Sequence, residues 1–141
     1  MGRLINYTKI IKTHLINAFK EILENLANNT ENNANFVALY ICFDSKCQGV
    51  VFPEAYKTES LITIVLQYKY WNLQIHDTSF EVLLDFFGEK QTVNIPFNSI
   101  VAFEDKINGF GLDLSKVQDI SMGSHMNEDE EMDNVISVDF F

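Results

Sequence analysis

The acidic and histidine side chains best suited to catalysis do not have the spacing that catalysis needs. His76 and Asp77 are adjacent, and adjacent residues of a strand point to opposite faces, so they make a poor proton relay. Glu81 and Asp85 share a strand face at a separation of about 13 Å, which is wider than the carboxylate pair of glycosidases. The sequence also lacks a Gly-rich phosphate loop and a nucleophile elbow. We therefore interpret the chain as a non-enzyme.

The cysteines and histidines do not form a metal-binding pattern. Cys42 and Cys47 lie five residues apart, and His14, His76 and His125 are scattered, whereas a zinc site needs four ligands at characteristic spacings. The sequence therefore predicts no metal or other cofactor, and two reduced thiols. Its apolar runs are too short for a membrane-spanning helix and its N-terminus lacks a signal-peptide pattern, so we expect a cytoplasmic protein with no membrane partner.

Apolar periodicity predicts one N-terminal helix followed by an antiparallel β structure. Apolar residues recur at helical spacing over residues 4–27, without Gly or Pro among them. Alternating or continuous apolar patterns then predict strands at 36–43, 60–70, 71–76, 80–86 and 93–97. The pattern at 99–105 fits a helical turn or a short strand. The expected fold class is α+β, mainly β, with the strands curled into a small open barrel or sandwich.

The helix carries a broad apolar surface, which includes Leu15 and Ile22. One interpretation is that part of this surface covers the sheet and the rest meets the same helix of a second copy. The alternative is that the whole surface lies in the core of one monomer. The sequence leaves both interpretations open.

The charge distribution argues against nucleic-acid binding. The chain has a net charge of −10, and residues 116–141 contain one lysine and seven acidic residues. A small barrel that binds nucleic acid in the manner of Sm or OB folds needs a basic surface for the phosphates. This composition does not supply one, so we expect no nucleic-acid partner.

The C-terminal residues have the pattern of a tethered docking motif. An acidic run at 127–133 cannot form a core by itself, and it precedes the sequence VISVDFF at 135–141. We expect a folded domain at 1–115, a flexible acidic linker at 116–134 and a docking motif at 135–141. The alternative is a terminal strand that returns to the domain. The candidate docking residues are Val135, Ile136, Val138 and Phe140.

The strand region contains more aromatic residues than one core of this size requires. Tyr68 and Tyr70 alternate with Gln67, Lys69 and Trp71, so large groups lie on both faces of this strand. An open barrel edge with polar donors such as Gln67 suits an extended peptide, held by backbone hydrogen bonds and side-chain pockets. The sequence therefore indicates a peptide-binding module.

Six stretches of this region form a specific combination: YICFD (40–44), GVVFP (49–53), TIVLQYKYWNL (63–73), FEVLLDFFG (80–88), VNIPFNSIVAFED (93–105) and FGLDL (110–114). They resemble the SspB family, the adaptors of the ClpXP protease, and are most similar to its alphaproteobacterial branch. The resemblance extends from about Ala38 to Leu114, with the helix ahead of it in the expected place.

The resemblance implies a homodimer built partly through the N-terminal helix, and a barrel of SH3/Sm-like topology. It also implies a groove for the ssrA tag of stalled translation products. We expect Gln67 to be its polar contact and Val50, Tyr70 and Phe103 to be its walls. The terminal motif would bind the N-terminal domain of ClpX. A purely structural dimeric subunit is the competing interpretation, but it leaves the C-terminal motif without a role.

Overall fold

A computed structural model describes residues 4–28 and 35–117 of the chain. It contains one long helix, α1 (Tyr7–Asn28), and seven strands. The strands are β1 (Leu39–Asp44), β2 (Leu61–Leu66), β3 (Tyr70–Ile75), β4 (Ser79–Phe86), β5 (Glu89–Pro96), β6 (Ile100–Asp105) and β7 (Phe110–Asp113). Short 3-10 turns lie at Glu54–Tyr56, Phe97–Ser99 and Leu114–Lys116.

The strands form two open antiparallel sheets, so the predicted class, mainly β with one N-terminal helix, is confirmed. One sheet has the strand order β2-β1-β6-β7 and the other has the order β3-β4-β5. The first sheet is not a simple meander, because β6 pairs with β1 rather than with β5. The connection between β1 and β2 is tied to β5 by an isolated bridge, in which Val51 and Asn94 exchange backbone hydrogen bonds of 3.0 Å.

Helix α1 begins three residues later than the sequence pattern suggested, and its start has a local cause. The Oδ1 atom of Asn6 accepts a hydrogen bond from the backbone N–H of Lys9 at 3.1 Å, as in an N-cap. The helix buries Phe19, Leu23 and Leu26 in the core. Its first turns remain exposed, including Tyr7, at 58% of its surface.

The core lies between the two sheets and beneath α1. Phe19 is its aromatic centre, with ring centroids 6.2 Å from Phe80, 6.3 Å from Phe97 and 4.8 Å from Phe103. Alternate residues of β1 and β4 complete the core, as their period-two patterns predict. Ile64 of β2 and Leu84 of β4 both belong to this core, and a surface groove opens between the ends of these two strands.

The part of the chain that the structure describes contains no helix long and apolar enough to cross a membrane.

Candidate peptide-binding groove

An open groove of about 400 Å³ lies where the end of β2 meets the end of β4. Strand β2 ends at Leu66, and the three-residue connection 67–69 turns the chain into β3. Strand β4 passes this connection near its own end, because Tyr70 of β3 pairs with Leu84. The groove is lined by Ile64, Val65, Gln67, Tyr68, Lys69, Leu84, Asp85 and Phe86.

The groove has an apolar floor and a polar, aromatic rim. Ile64 and Leu84 are buried to 6% and 7% exposure, and they form its base. Tyr68, in contrast, is 70% exposed at the rim. An apolar base with few polar groups around it is typical of sites that bind ligands by shape and orient them by hydrogen bonds.

Gln67 is the polar group that reaches this groove from the β2–β3 connection. Its side chain is half-buried, and an amide offers both donors and an acceptor. A peptide backbone offers the complementary pair of groups, so Gln67 can hydrogen-bond to an extended peptide. The prediction that Gln67 lies in a groove agrees with this placement, while its contact with a peptide stays a prediction.

One ion pair lies at the rim of the groove. The Nζ atom of Lys69 lies 3.8 Å from Oδ2 of Asp85, and the Lys69 side chain is 76% exposed. The other carboxylate oxygen of Asp85 accepts a 2.6 Å hydrogen bond from the backbone N–H of Gly88. The Asp85 carboxylate is therefore held by the β4–β5 turn. Glu81, four residues earlier, instead lies 3.5 Å from Nε2 of His76.

Phe103, Tyr70 and Val50, the predicted groove walls, are not among the residues that line this groove. Phe103 is 1% exposed and packs beneath α1, so its side chain lies in the core. Tyr70 and Val50 are half-buried and pack against the core, and neither lines the groove. The sequence reasoning missed Ile64, Leu84 and Phe86. Ile64 lies on β2, and Leu84 and Phe86 lie on β4, and the pattern within each strand does not show which residues of the two strands meet at a surface.

The predicted dimer residues also have core contacts. Leu15 and Ile22 are half-buried and pack against the core cluster. The apolar residues that α1 exposes lie nearer its start, with Tyr7 at 58% and Ile10 and Ile11 at 47% exposure each. The candidate docking residues Val135, Ile136, Val138 and Phe140 lie outside the described residues.

A larger cavity, of about 470 Å³, lies beside α1. Its residues come mainly from α1, β5 and the connection before β4, and Lys20 spans it by donating to the backbone oxygen of Asp77 at 3.0 Å. This internal contact occupies one of the hydrogen-bonding groups of the cavity. We take the groove at Gln67 as the candidate for a peptide because Gln67 lies in the stretch 63–73 that resembles the SspB family.

Metal ligands do not converge anywhere in residues 4–28 and 35–117, where no group of three or more His, Cys, Asp and Glu side chains could hold an ion. Cys42 and Cys47 are free thiols. The Sγ atom of Cys47 lies 3.6 Å from Oδ1 of Asn98, a local contact on the surface.

Comparison with known families identifies the chain. The family model of stringent starvation protein B (SspB) matches residues 12–137, nearly the whole chain. The chain therefore belongs to the SspB family, whose members are protease adaptors rather than enzymes. This confirms the family that the sequence resembles, while the alphaproteobacterial branch stays a prediction. A search of curated proteins found no match.

Proposed function

We propose that this protein is a cytoplasmic, non-enzymatic adaptor that binds ssrA-tagged proteins and delivers them to the ClpX unfoldase of ClpXP. Membership of the SspB family supports an adaptor role in general. The observation that carries the specific proposal is that Gln67 lines an open groove of about 400 Å³ with an apolar floor.

The groove suits an extended tag peptide better than a compact ligand. It is open to solvent and it follows the ends of two strands, where an extended chain can lie alongside. Ile64 and Leu84 supply apolar contact, and the Gln67 amide supplies the hydrogen bonds that fix the peptide's position. The Lys69–Asp85 pair places one charge of each sign at the rim. Positively or negatively charged residues of the tag can therefore form an ionic contact there.

Delivery in this proposal is a matter of local concentration and needs no chemical step. The groove holds the tagged substrate while residues 135–141 bind the N-terminal domain of ClpX, with 116–134 as the tether between them. A tether of this length gives an effective concentration on the order of millimolar for the second contact. A weakly bound tag therefore reaches the unfoldase at low substrate concentration.

A homodimer would add avidity, since it carries two grooves and two docking motifs. The exposed apolar residues Tyr7, Ile10 and Ile11 provide the α1 surface for that contact. Leu15 and Ile22 lie at its border, because they already pack against the core. We therefore place the centre of the dimer contact nearer the start of α1 than the sequence pattern suggested.

The test is direct binding of a fluorescent ssrA-tag peptide to the full chain, followed by anisotropy. We expect saturable binding that a scrambled peptide of the same composition does not show. The affinity should change little with salt, in contrast to the steep salt dependence of phosphate contacts. Absence of saturable binding would contradict the proposal.

A further inference from the structure

Phe87 occupies a backbone conformation that disfavours its side chain. It forms the two-residue β4–β5 turn with Gly88, and both residues have positive φ, +56° for Phe87 and +95° for Gly88. Such hairpin turns favour Asn or Gly at the first position, because a bulky side chain is strained there. Phe87 is also 94% exposed. The fold therefore gains little from a phenylalanine at this position.

The Phe87 ring is nevertheless held in a defined place. It stacks on Tyr56 with ring centroids 6.5 Å apart and an angle of 17° between the ring planes. Tyr56 in turn lies 5.3 Å from Phe86, which lines the groove at Gln67. Tyr56, Phe86 and Phe87 thus form a continuous surface, here called the aromatic rim, that extends the groove to the tip of the hairpin.

The base of the aromatic rim is rigid. Phe86 packs edge-on against the buried Phe52, with centroids 5.4 Å apart and an angle of 90°. The turn that carries Phe87 is fixed by the hydrogen bond from Gly88 to Asp85. The backbone that carries the exposed ring is therefore held in place by contacts within the protein, which lowers the entropy lost on binding.

We propose that the aromatic rim is a subsite of the groove that binds a large apolar or aromatic side chain of the tag peptide, next to the segment held at Gln67. This inference rests on the proposed function and adds a specificity determinant to it. Continuity through Phe86 favours a peptide as the occupant, because one extended chain can contact Gln67 and the rim together. Strained, exposed residues are also concentrated where proteins bind ligands.

The decisive variant is Phe87→Asn, because the proposal gives it opposite effects on stability and on binding. Asn accepts positive φ and precedes Gly88 in the dipeptide that such turns favour, so the melting temperature should stay the same or rise. Affinity for the tag peptide should fall about fivefold to tenfold, as expected when one aromatic contact is lost. Phe87→Tyr should retain most of the affinity.

Two controls make the result specific. Phe36→Asn changes another aromatic residue, 66% exposed and outside the groove, and it should leave the affinity unchanged. A tag peptide whose large apolar residues are replaced by serine should bind the wild type and Phe87→Asn equally, because it cannot use the rim. Kd values from anisotropy and melting temperatures from circular dichroism provide both readouts.

The outcomes separate this inference from the proposed function. Wild-type binding with no effect of Phe87→Asn overturns the subsite alone. Failure of the wild type to bind any tag peptide overturns the proposed function and the subsite together. An unchanged Kd with altered sedimentation of Phe87→Asn assigns the rim to a contact between copies, and also overturns the subsite.

Discussion

The ring centroids of Phe19 on α1 and Phe103 on β6 lie 4.8 Å apart, and each side chain is only 1% exposed. This contact joins the helix to the four-stranded sheet at the centre of the core. The sequence predicts Phe103 as a groove wall, whereas this contact places its side chain in the core. A groove wall and a core residue have the same apolar pattern in a sequence, so the pattern does not distinguish them.

Replacing Phe103 by Ala should therefore destabilise the fold rather than alter the groove. We expect the free energy of unfolding to fall by about 3–5 kcal/mol, because a large buried ring is removed and a cavity remains. Urea unfolding measures this loss. Tag affinity, corrected for the folded fraction, should be unchanged, and a loss of affinity without a loss of stability would return Phe103 to the binding site.

Replacing Gln67 by Ala should instead weaken binding of the tag peptide and leave the stability nearly unchanged. We expect binding of the tag peptide to weaken by about 1–3 kcal/mol, because its partner on the peptide is left unsatisfied. The melting temperature should change little, because Gln67 is half-buried at the groove and is not part of the core cluster. Gln74→Ala on β3 is the matched control, because Gln74 is an exposed glutamine outside the groove. Equal affinities for both variants would show that the groove lies elsewhere.

Substitutions on α1 should also separate an effect on assembly from an effect on stability. Ile10→Glu and Ile11→Glu should dissociate a dimer and leave the monomer folded, because both side chains are 47% exposed. Leu15→Glu and Ile22→Glu should lower stability as well, since these residues pack against the core. Sedimentation velocity measures assembly and circular dichroism measures folding. A wild type that sediments as a monomer at micromolar concentration would rule out the dimer.

Asp105 should give the protein a specific sensitivity to acid. Partial burial opposes its ionisation, but hydrogen bonds from the Asn108 side chain and from the backbone N–H groups of Ala38, Asn108 and Ile107 outweigh this. Together they hold the pKa of Asp105 below its ordinary value of 3.8. Its contribution to stability is therefore fully present above the unfolded pKa and is lost as the pH falls through the lower, folded pKa.

The test compares Asp105→Asn with the wild type in urea unfolding between pH 7 and pH 2. The variant should be less stable at pH 7, and the difference should shrink as the pH falls below about 4. Asn108→Ala is the companion variant, because it removes one hydrogen bond to the Asp105 carboxylate and should reduce the same pH dependence without removing the charge. A difference that is constant with pH would show that the Asp105 charge does not matter.

The helix and most strands were predictable because their periodicity is local. The pattern at 99–105 was ambiguous because six residues of β6 contain too few repeats to separate the two periods. Strand β7 was missed because it has only four residues and includes Gly111. The pairing of β6 with β1 depends on contacts between distant residues, which no local pattern encodes.

Only part of the candidate groove was predictable, because strand patterns are local and the groove is formed by two strands from different sheets. Gln67 was predicted as a polar contact because it is a donor at an open strand edge and lies in the stretch 63–73 that resembles the SspB family. Leu84 and Phe86 lie in a regular alternating strand, so their pattern identifies a buried face and not the neighbour that the face meets. The positive φ of Phe87 depends on the two-residue length of the β4–β5 turn, and the predicted strands at 80–86 and 93–97 left six residues between them.

Deleting residues 135–141 should separate binding from delivery. The core cluster of the described residues extends along the chain to Leu114, so we expect the truncated protein to keep its stability and its affinity for the tag peptide. Val135, Ile136, Val138 and Phe140, which lie outside the described residues, are assigned to ClpX in our proposal. Degradation of an ssrA-tagged fluorescent protein by ClpXP should therefore fall to the rate without adaptor.

A variant with residues 127–133 scrambled at constant composition is the control for this deletion, because it keeps the length and charge of the tether and the motif. It should deliver substrates as the wild type does, since the proposal requires only reach from this segment. If the truncated protein stimulates degradation as well as the full chain, residues 135–141 are not the docking motif. If it loses its fold, the alternative of a terminal strand that returns to the domain is favoured.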